Sequence, residues 1–276
     1  MLQLAPIVRL ALAPLLLWQG ARVRRQALRL PEAEGQRAGV TGEGPLVLRL
    51  LIVGDSSAAG VGAPSQDEAL AGHLSRALAR RLGGMVRWQV LARSGHTTAN
   101  ALEHLRVSEI FPADVVVTAL GVNDVVGQLS PRRWLQQLDQ IDDLLQQRAA
   151  APRFTLHSAV PPMHSFPLLP QPLRWLMGAQ ALRMNRALGR HLLAQPRRGM
   201  QALPAHLHGK AAVRLMARDG FHPNPAGYAA WAEALAERLV REWGSRRAAR
   251  LRRPAGAACA GCRAAAGRRT SGCSRG

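Results

Sequence analysis

The sequence predicts an α/β fold, a mainly parallel five-stranded sheet with helices on both faces. Two patterns predict it. Short, nearly continuous apolar runs alternate with longer stretches in which apolar residues recur at helical spacing, as in chains that build parallel sheets. Polar residues suited to catalysis follow those apolar runs, at the strand ends where open parallel sheets form their sites. Hydrophobic residues make up 47% of the chain, enough for a sizeable core, and charged residues 20%, so the chain does not read as disordered throughout.

Residues 1–45 stand apart from the rest. Leu2 to Trp18 is mostly apolar, but Pro6, Arg9 and Pro14 interrupt it, and a bilayer-spanning helix needs roughly 20 predominantly apolar residues. The basic cluster Arg22 to Arg25 follows the apolar run, whereas a secretory signal carries its charge ahead of it. Two readings are open. One is a peripheral membrane contact through residues 1–30, with the cluster keeping the following domain on the cytoplasmic side. The other is a helix packed on the domain's own surface. The expected location is the cytoplasm, with or without membrane association. Residues 31–45 are polar and rich in Gly and Pro and read as a linker.

The main domain is expected over residues 46–244. Leu46 to Val53 is an apolar run ending at Gly54, the pattern of a strand buried on both faces. Asp67 to Leu82 has helical spacing and stops at Gly83-Gly84. Val86 to Leu91 reads as the second strand. Thr98 to Arg106 reads as a helix capped by Thr97 or Thr98. Asp114 to Leu120 is the clearest strand. Ser130-Pro131 opens a helix that runs to about Arg148, with Ser130 as its cap. Phe154 to Val160 is the fourth strand, and residues 161–175 are a Pro-rich apolar loop. Leu176 to Leu193 is helical, a weak strand is expected near Gln201 to Leu207, and Pro225 to Trp243 closes the domain as a helix. From Ser245 onward the chain is Arg, Ala, Gly and Ser without periodicity, as in a disordered tail.

The formal net charge of +20 first points to nucleic acid. Its distribution argues otherwise. Residues 1–30 carry five Arg and no acid, and residues 245–276 carry nine Arg and no acid, so the excess sits mainly at the ends. No basic stretch is interleaved with aromatic residues, so no stacking platform for nucleic acid is expected. Cys259, Cys262 and Cys273 all lie in the tail, so the core does not depend on disulfides. Cys259 and Cys262 have the spacing of half a zinc site, but no second pair or nearby His completes it. His73, His104, His157, His164, His191, His206 and His208 form no ligand-like cluster with acids or Cys. No metal and no cofactor is expected.

Four polar blocks fall at strand ends or helix starts: Gly54-Asp55-Ser56-Ser57, Arg93-Ser94-Gly95-His96, Gly121-Val122-Asn123-Asp124 and Asp219-Gly220-Phe221-His222. A serine nucleophile needs a base, a group that orients the base, and donors for the oxygen that becomes negative. Ser56 at a strand-to-loop turn is the candidate nucleophile and His222 the candidate base. Asp219, three residues earlier, is placed to fix the tautomer of His222. The N–H groups of Ser56 and Gly95 and the side-chain amide of Asn123 are the candidate oxyanion donors. Alone, each of these residues is more often a turn or capping group; their joint arrangement carries the reading. His96 reads as a loop histidine, with substrate contact as the alternative.

The four blocks resemble those of the SGNH/GDSL serine hydrolases, in the family's order, over about residues 46–243. The resemblance implies a flavodoxin-like three-layer α/β/α fold and cofactor-free hydrolysis of carboxylic esters, lipid-like or small, with Ser56, His222 and Asp219 as triad. It also implies that Asp55 shapes the nucleophile loop. Ser57 stands where the family's name has leucine. Carbohydrate O-deacetylation and thioester hydrolysis would use the same residues. A different class, a membrane-surface binding protein on a hydrolase fold, is motivated by the basic ends and the apolar N-terminus. The segment Met163 to Trp175 is read either as the wall of an acyl pocket, lined by Leu168, Leu169, Leu173 and Trp175, or as a loop packed on the core or on the N-terminal segment.

Overall fold

The apolar run after the Gly/Pro-rich stretch is strand β2 (Leu46–Gly54), which lies inside the sheet. It is flanked by β3 (Met85–Ala92) and β4 (Val115–Ala119). Beyond β4 come β5 (Phe154–Ser158) and β6 (Arg198–Gln201), and beyond β3 comes β1 (Ala38–Thr41). The computed structural model describes residues 6–204 and 213–251. Its strand order is β1-β3-β2-β4-β5-β6, with only β1 antiparallel to its neighbour. The five parallel strands match the sequence reading. β1 does not: it arises from residues read as linker, where Ala38 to Thr41 pair with Gln89 to Val86. Four residues among glycines carry too little pattern to read as a strand alone; pairing to an exposed edge makes them one.

The chain steps from β2 to β3 on one side and then crosses to β4 on the other. This creates a switch point beside β2, where open sheets form their crevice. Register makes the strand ends level there: Gly54 pairs with both Ala92 and Ala119. Whatever follows these three strands therefore emerges at one rim.

Alternation along β2 explains its unbroken apolar character. Leu51 and Val53 pack with Leu102 and Leu105 of α3 (Thr98–Val107) and with Ile141 and Leu145 of α5 (Pro131–Arg148). Leu50 and Ile52 point the other way and are equally buried. That second face is covered by α2 (Leu70–Leu82) and α7 (Pro225–Leu251). Arg80 and Arg81 of α2 reach Glu233 of α7 at 3.0 and 2.6 Å, and Trp231 Nε1 of α7 donates to Ser158 Oγ of β5. Thr97, not Thr98, caps α3, in a capping box with Asn100. Ser130 caps α5 as expected.

The short helix α4 (Val122–Val126) follows β4 directly and was not expected. The fourth strand ends at Ser158, two residues early, and α6 (Leu173–His191) starts three residues early, inside the Pro-rich stretch. The weak sixth strand sits at Arg198–Gln201; residues 205–207 of the expected range lie outside the described residues.

The N-terminal segment forms helix α1 (Pro6–Gln26), and it packs on the domain's own surface. Leu16 and Val23 lie against the core cluster of α5 and α6. Gln19 Nε2 donates to Gln171 O at 2.7 Å, and its Oε1 accepts from Leu173 N at 3.2 Å. Leu17 and Trp18 remain exposed. Among the described residues, no helix is long and apolar enough to cross a membrane. Met1–Val240 form one unit; the second, Arg241–Gly276, is helical up to Leu251. The three cysteines and residues 252–276 of the tail lie outside the described residues.

Candidate active site

The loop after β2 is held by its own backbone. Asp55 N donates to Ala119 O at 3.2 Å, and Asp55 O accepts from Ala59 N at 2.9 Å. Asp55 Oδ1 accepts from Ser57 N at 3.0 Å, and Ser56 O accepts from Val61 N at 3.0 Å. Asp55 thus shapes the loop from within. Its carboxyl is 1% exposed, and burial pushes its pKa up to about 6, against the opposing bond from Ser57.

The candidate base, His222, arrives on the loop before α7. Asp219 Oδ1 accepts from Phe221 N at 2.9 Å and His222 N at 3.0 Å, which wraps the loop around the carboxylate. Its other oxygen meets His222 Nδ1 at 2.6 Å. Burial pushes the Asp219 pKa up, but the side-chain and backbone bonds from His222 and Phe221 outweigh it and hold the group below its usual value. An ionised Asp219 requires the imidazole proton on Nδ1, so Nε2 faces outward as an acceptor. Nε2 lies 2.8 Å from Ser56 Oγ, a residue 166 positions away in the chain. The three candidate catalytic side chains form one hydrogen-bonded row.

The donors are sorted by what is already taken. Around Ser56, the N–H groups of Asp55 and Ser57 are bonded; around Gly95, Ser94 N donates to Glu32 Oε1 at 2.6 Å and His96 N to Arg93 O at 3.3 Å. Among the described residues, the N–H groups of Ser56 and Gly95 have no protein acceptor. Gly95 has φ +81°, where a side chain would be strained, and no atom lies within 4 Å of the place its Cβ would take. Gly95 itself is exposed. Asn123 Nδ2 donates one hydrogen to His96 O at 2.9 Å, leaving the second free. Gly121, at φ +121°, lets the chain turn from β4 into α4 and carry Asn123 to this rim; a Cβ there would lie 2.6 Å from Val160. The His96 ring packs edge-on to His104, with its pKa lowered by burial and by Arg93.

Asp124 is 1% exposed and anchors α4 to α3. Its carboxylate accepts from Thr98 N at 3.2 and 3.1 Å and from Thr98 Oγ1 at 2.7 Å, while Trp134 Nε1 donates to the same hydroxyl at 3.0 Å. Sequence reasoning missed Thr98, Trp134 and Glu32 as supports of the site. Trp134 stands at a core position of α5, which is a packing signal and nothing more. Glu32 sits in a stretch that reads as linker and gives no signal.

Beside the row lies an apolar cavity of about 100 Å³, lined by Leu120, Val122, Phe166, Met216, Phe221 and Trp231 among others. Asp55, Ser57 and Pro223, the chain neighbours of Ser56 and His222, also line it. Of the two readings of Met163 to Trp175, the acyl-pocket wall of Leu168, Leu169, Leu173 and Trp175 is not found here. Leu169 and Leu173 are core residues, with Trp175 packed against the same cluster, and Leu168 N donates to Gly220 O. The segment does pack on the core and on α1, and only Pro161, Pro162, Ser165 and Phe166, nearer β5, reach the cavity.

A family model described as the GDSL-like lipase/acylhydrolase family matches residues 52–230. The GDSL-like esterase Rv1075c of Mycobacterium tuberculosis is 27% identical over 209 residues, covering 70% of this chain and 62% of that protein. The chain thus spans under two thirds of this relative. Two solved structures share the fold. The lipase Lip_vut3 from a goat rumen metagenome gives a TM-score of 0.56 at 20% identity, over 70% of this chain and 97% of that one. The psychrotrophic esterase EstA from Pseudoalteromonas gives 0.53 at 18%, over 72% and 100%. The match spans both the Ser56 loop and the Asp219–His222 loop, which together hold the hydrogen-bonded row, and on it the chain belongs to the GDSL-like lipase/acylhydrolase family.

Proposed function

We propose that the chain is a serine-dependent hydrolase of carboxylic esters, acting through Ser56, His222 and Asp219. The observation that carries this reading is the row Ser56 Oγ–His222 Nε2 at 2.8 Å and His222 Nδ1–Asp219 Oδ2 at 2.6 Å. Ser56 Oγ attacks the ester carbonyl carbon while its proton passes to His222 Nε2, and Asp219 stabilises the imidazolium. The carbonyl oxygen becomes negative and takes hydrogen bonds from Ser56 N, Gly95 N and the free hydrogen on Asn123 Nδ2. Collapse breaks the ester C–O bond, and His222 returns its proton to the leaving alcohol. Water then attacks the acyl-enzyme with His222 as base; the acid leaves and Ser56 regains its proton.

The acyl group is assigned to the apolar cavity, because its lining flanks the nucleophile and the base. An apolar lining favours an alkyl acyl chain over the acetyl group of a sugar deacetylase. The test is a panel of p-nitrophenyl esters from acetate to palmitate, with acetylated sugars and acyl thioesters beside it. Turnover should be higher on acyl chains longer than acetyl and vanish in Ser56→Ala. Undiminished turnover in Ser56→Ala would rule the reading out; a peak at acetyl-sugar would move it to deacetylation.

A further inference from the structure

The segment read as a linker runs between the two loops that carry the candidate backbone oxyanion donors. Ala33 N donates to Ala59 O, on the nucleophile loop, at 3.2 Å, and Gln66 Nε2 bonds both Ala33 O and Ala59 O. One residue earlier, Glu32 Oε1 accepts from Ser94 N at 2.6 Å, next to Gly95. Its other oxygen is held by Arg37 at 2.5 Å, and Arg37 Nη1 donates to Ala92 O, at the end of β3. Arg37 is fixed in turn, because its own carbonyl accepts from Val90 N at 2.7 Å. The matched family region begins at residue 52, so this strap lies outside it.

We infer that Glu32 is a positioning residue for the oxyanion site: with Arg37 it holds the Arg93–His96 turn so that the Gly95 N–H points at the developing negative charge. The turn is clamped on both sides of Gly95. Glu32 takes the Ser94 N–H on one side, and Asn123 donates to the His96 carbonyl on the other. Both clamps leave the Gly95 N–H unbonded, so the Gly95 and Asn123 donors form one rigid unit. Without the carboxylate the Ser94 N–H loses its acceptor, and the turn, whose glycine is exposed, is free to rotate that peptide. Burial pushes the Glu32 pKa up, but its bonds to Ser94 and the nearby Arg37 outweigh this and lower it, so the clamp stays charged at neutral pH.

This inference rests on the hydrolase reading, and the experiment separates the two. Wild type, Ser56→Ala, Glu32→Ala and Glu32→Gln are assayed on p-nitrophenyl butyrate, with hydrogen exchange of the peptide spanning residues 93–96. Glu32→Ala should lose roughly 10- to 100-fold in kcat, since a misplaced donor costs less than an absent one. KM should change little, because the oxyanion forms only after binding. Glu32→Gln keeps an acceptor for Ser94 N–H and should recover part of the loss. Exchange of the 93–96 peptide should speed up in Glu32→Ala while the sheet peptides keep their protection. A Glu32→Ala enzyme with wild-type kcat, or with unchanged exchange at residues 93–96, overturns the inference. Wild-type protein no more active than Ser56→Ala overturns the hydrolase reading and, with it, the catalytic role given to Glu32.

Discussion

At the scale of single residues, the site works by subtraction. The peptide groups beside Ser56 and Gly95 are tied into local bonds, and the two N–H groups left over are those the proposed mechanism assigns to the oxyanion. Asn123 divides its two hydrogens between the His96 carbonyl and the cleft. Asn123→Ala should therefore lower kcat by ~10²–10³ with KM little changed, as steady-state kinetics on a butyrate ester would read. A rise of that size in KM, with kcat unchanged, would assign Asn123 to ground-state binding instead.

At the scale of elements, the proposed site rests on how α3 and α4 are locked together. Thr98 stands between a buried carboxylate and a buried indole: its N–H and hydroxyl serve Asp124, and its oxygen accepts from Trp134. Burial pushes the Asp124 pKa up while the Thr98 bonds pull it back, so a loss at Thr98 raises the cost of keeping the charge inside. Thr98→Val, similar in shape, should cost about 1.5–3 kcal/mol in denaturant unfolding, the range for hydrogen bonds to charged groups. It should also lower kcat, because Asn123 is the neighbour of Asp124. Wild-type stability in Thr98→Val would show that the network is dispensable.

At the scale of the whole molecule, buried titrating groups set the response to pH. His157 lies in β5, 1% exposed, with Thr118 at Nδ1 and Arg198 donating to Nε2. Burial first, then Arg198 and His191, lower its pKa to about 3. The unfolded chain, with an ordinary histidine near 6.5, binds a proton that the fold refuses, so stability falls as pH drops from about 6.5 to 3. Asp55 acts oppositely: its pKa of about 6 lies above the unfolded value, so the fold gains stability as pH drops from about 6 to 4. Asp124, also raised, adds to that direction. Each single group contributes a slope of about 1.4 kcal/mol per pH unit. Between pH 6 and 4, Asp55→Asn should lose stability relative to wild type, because it lacks the gain that protonating Asp55 supplies. Denaturant unfolding across the range would check this, and parallel curves for the two proteins would contradict it.

Most of this was legible in the sequence where residues interact along the chain. The five parallel strands follow from local apolar runs, and Ser130 and Thr97 announce their helices by capping chemistry. The residues of the row were legible because each block sits at an element boundary. What was not legible depends on distant partners. β1 exists only by pairing with β3, and Glu32 gains its role only because Ser94 arrives beside it. The Pro-rich segment stayed open between two readings for a similar reason: its leucines are apolar whether they line a cavity or fill a core, and only the folded chain shows them packed on the core and on α1.

The central claim is that Ser56 is a nucleophile activated by His222. Its most direct measurement is the reaction of the intact protein with a fluorophosphonate, followed by peptide mass spectrometry. A single phosphonate on Ser56 is expected, formed far more slowly in His222→Ala. An adduct on any other residue, or a Ser56 adduct formed at the same rate without the imidazole, would contradict the account.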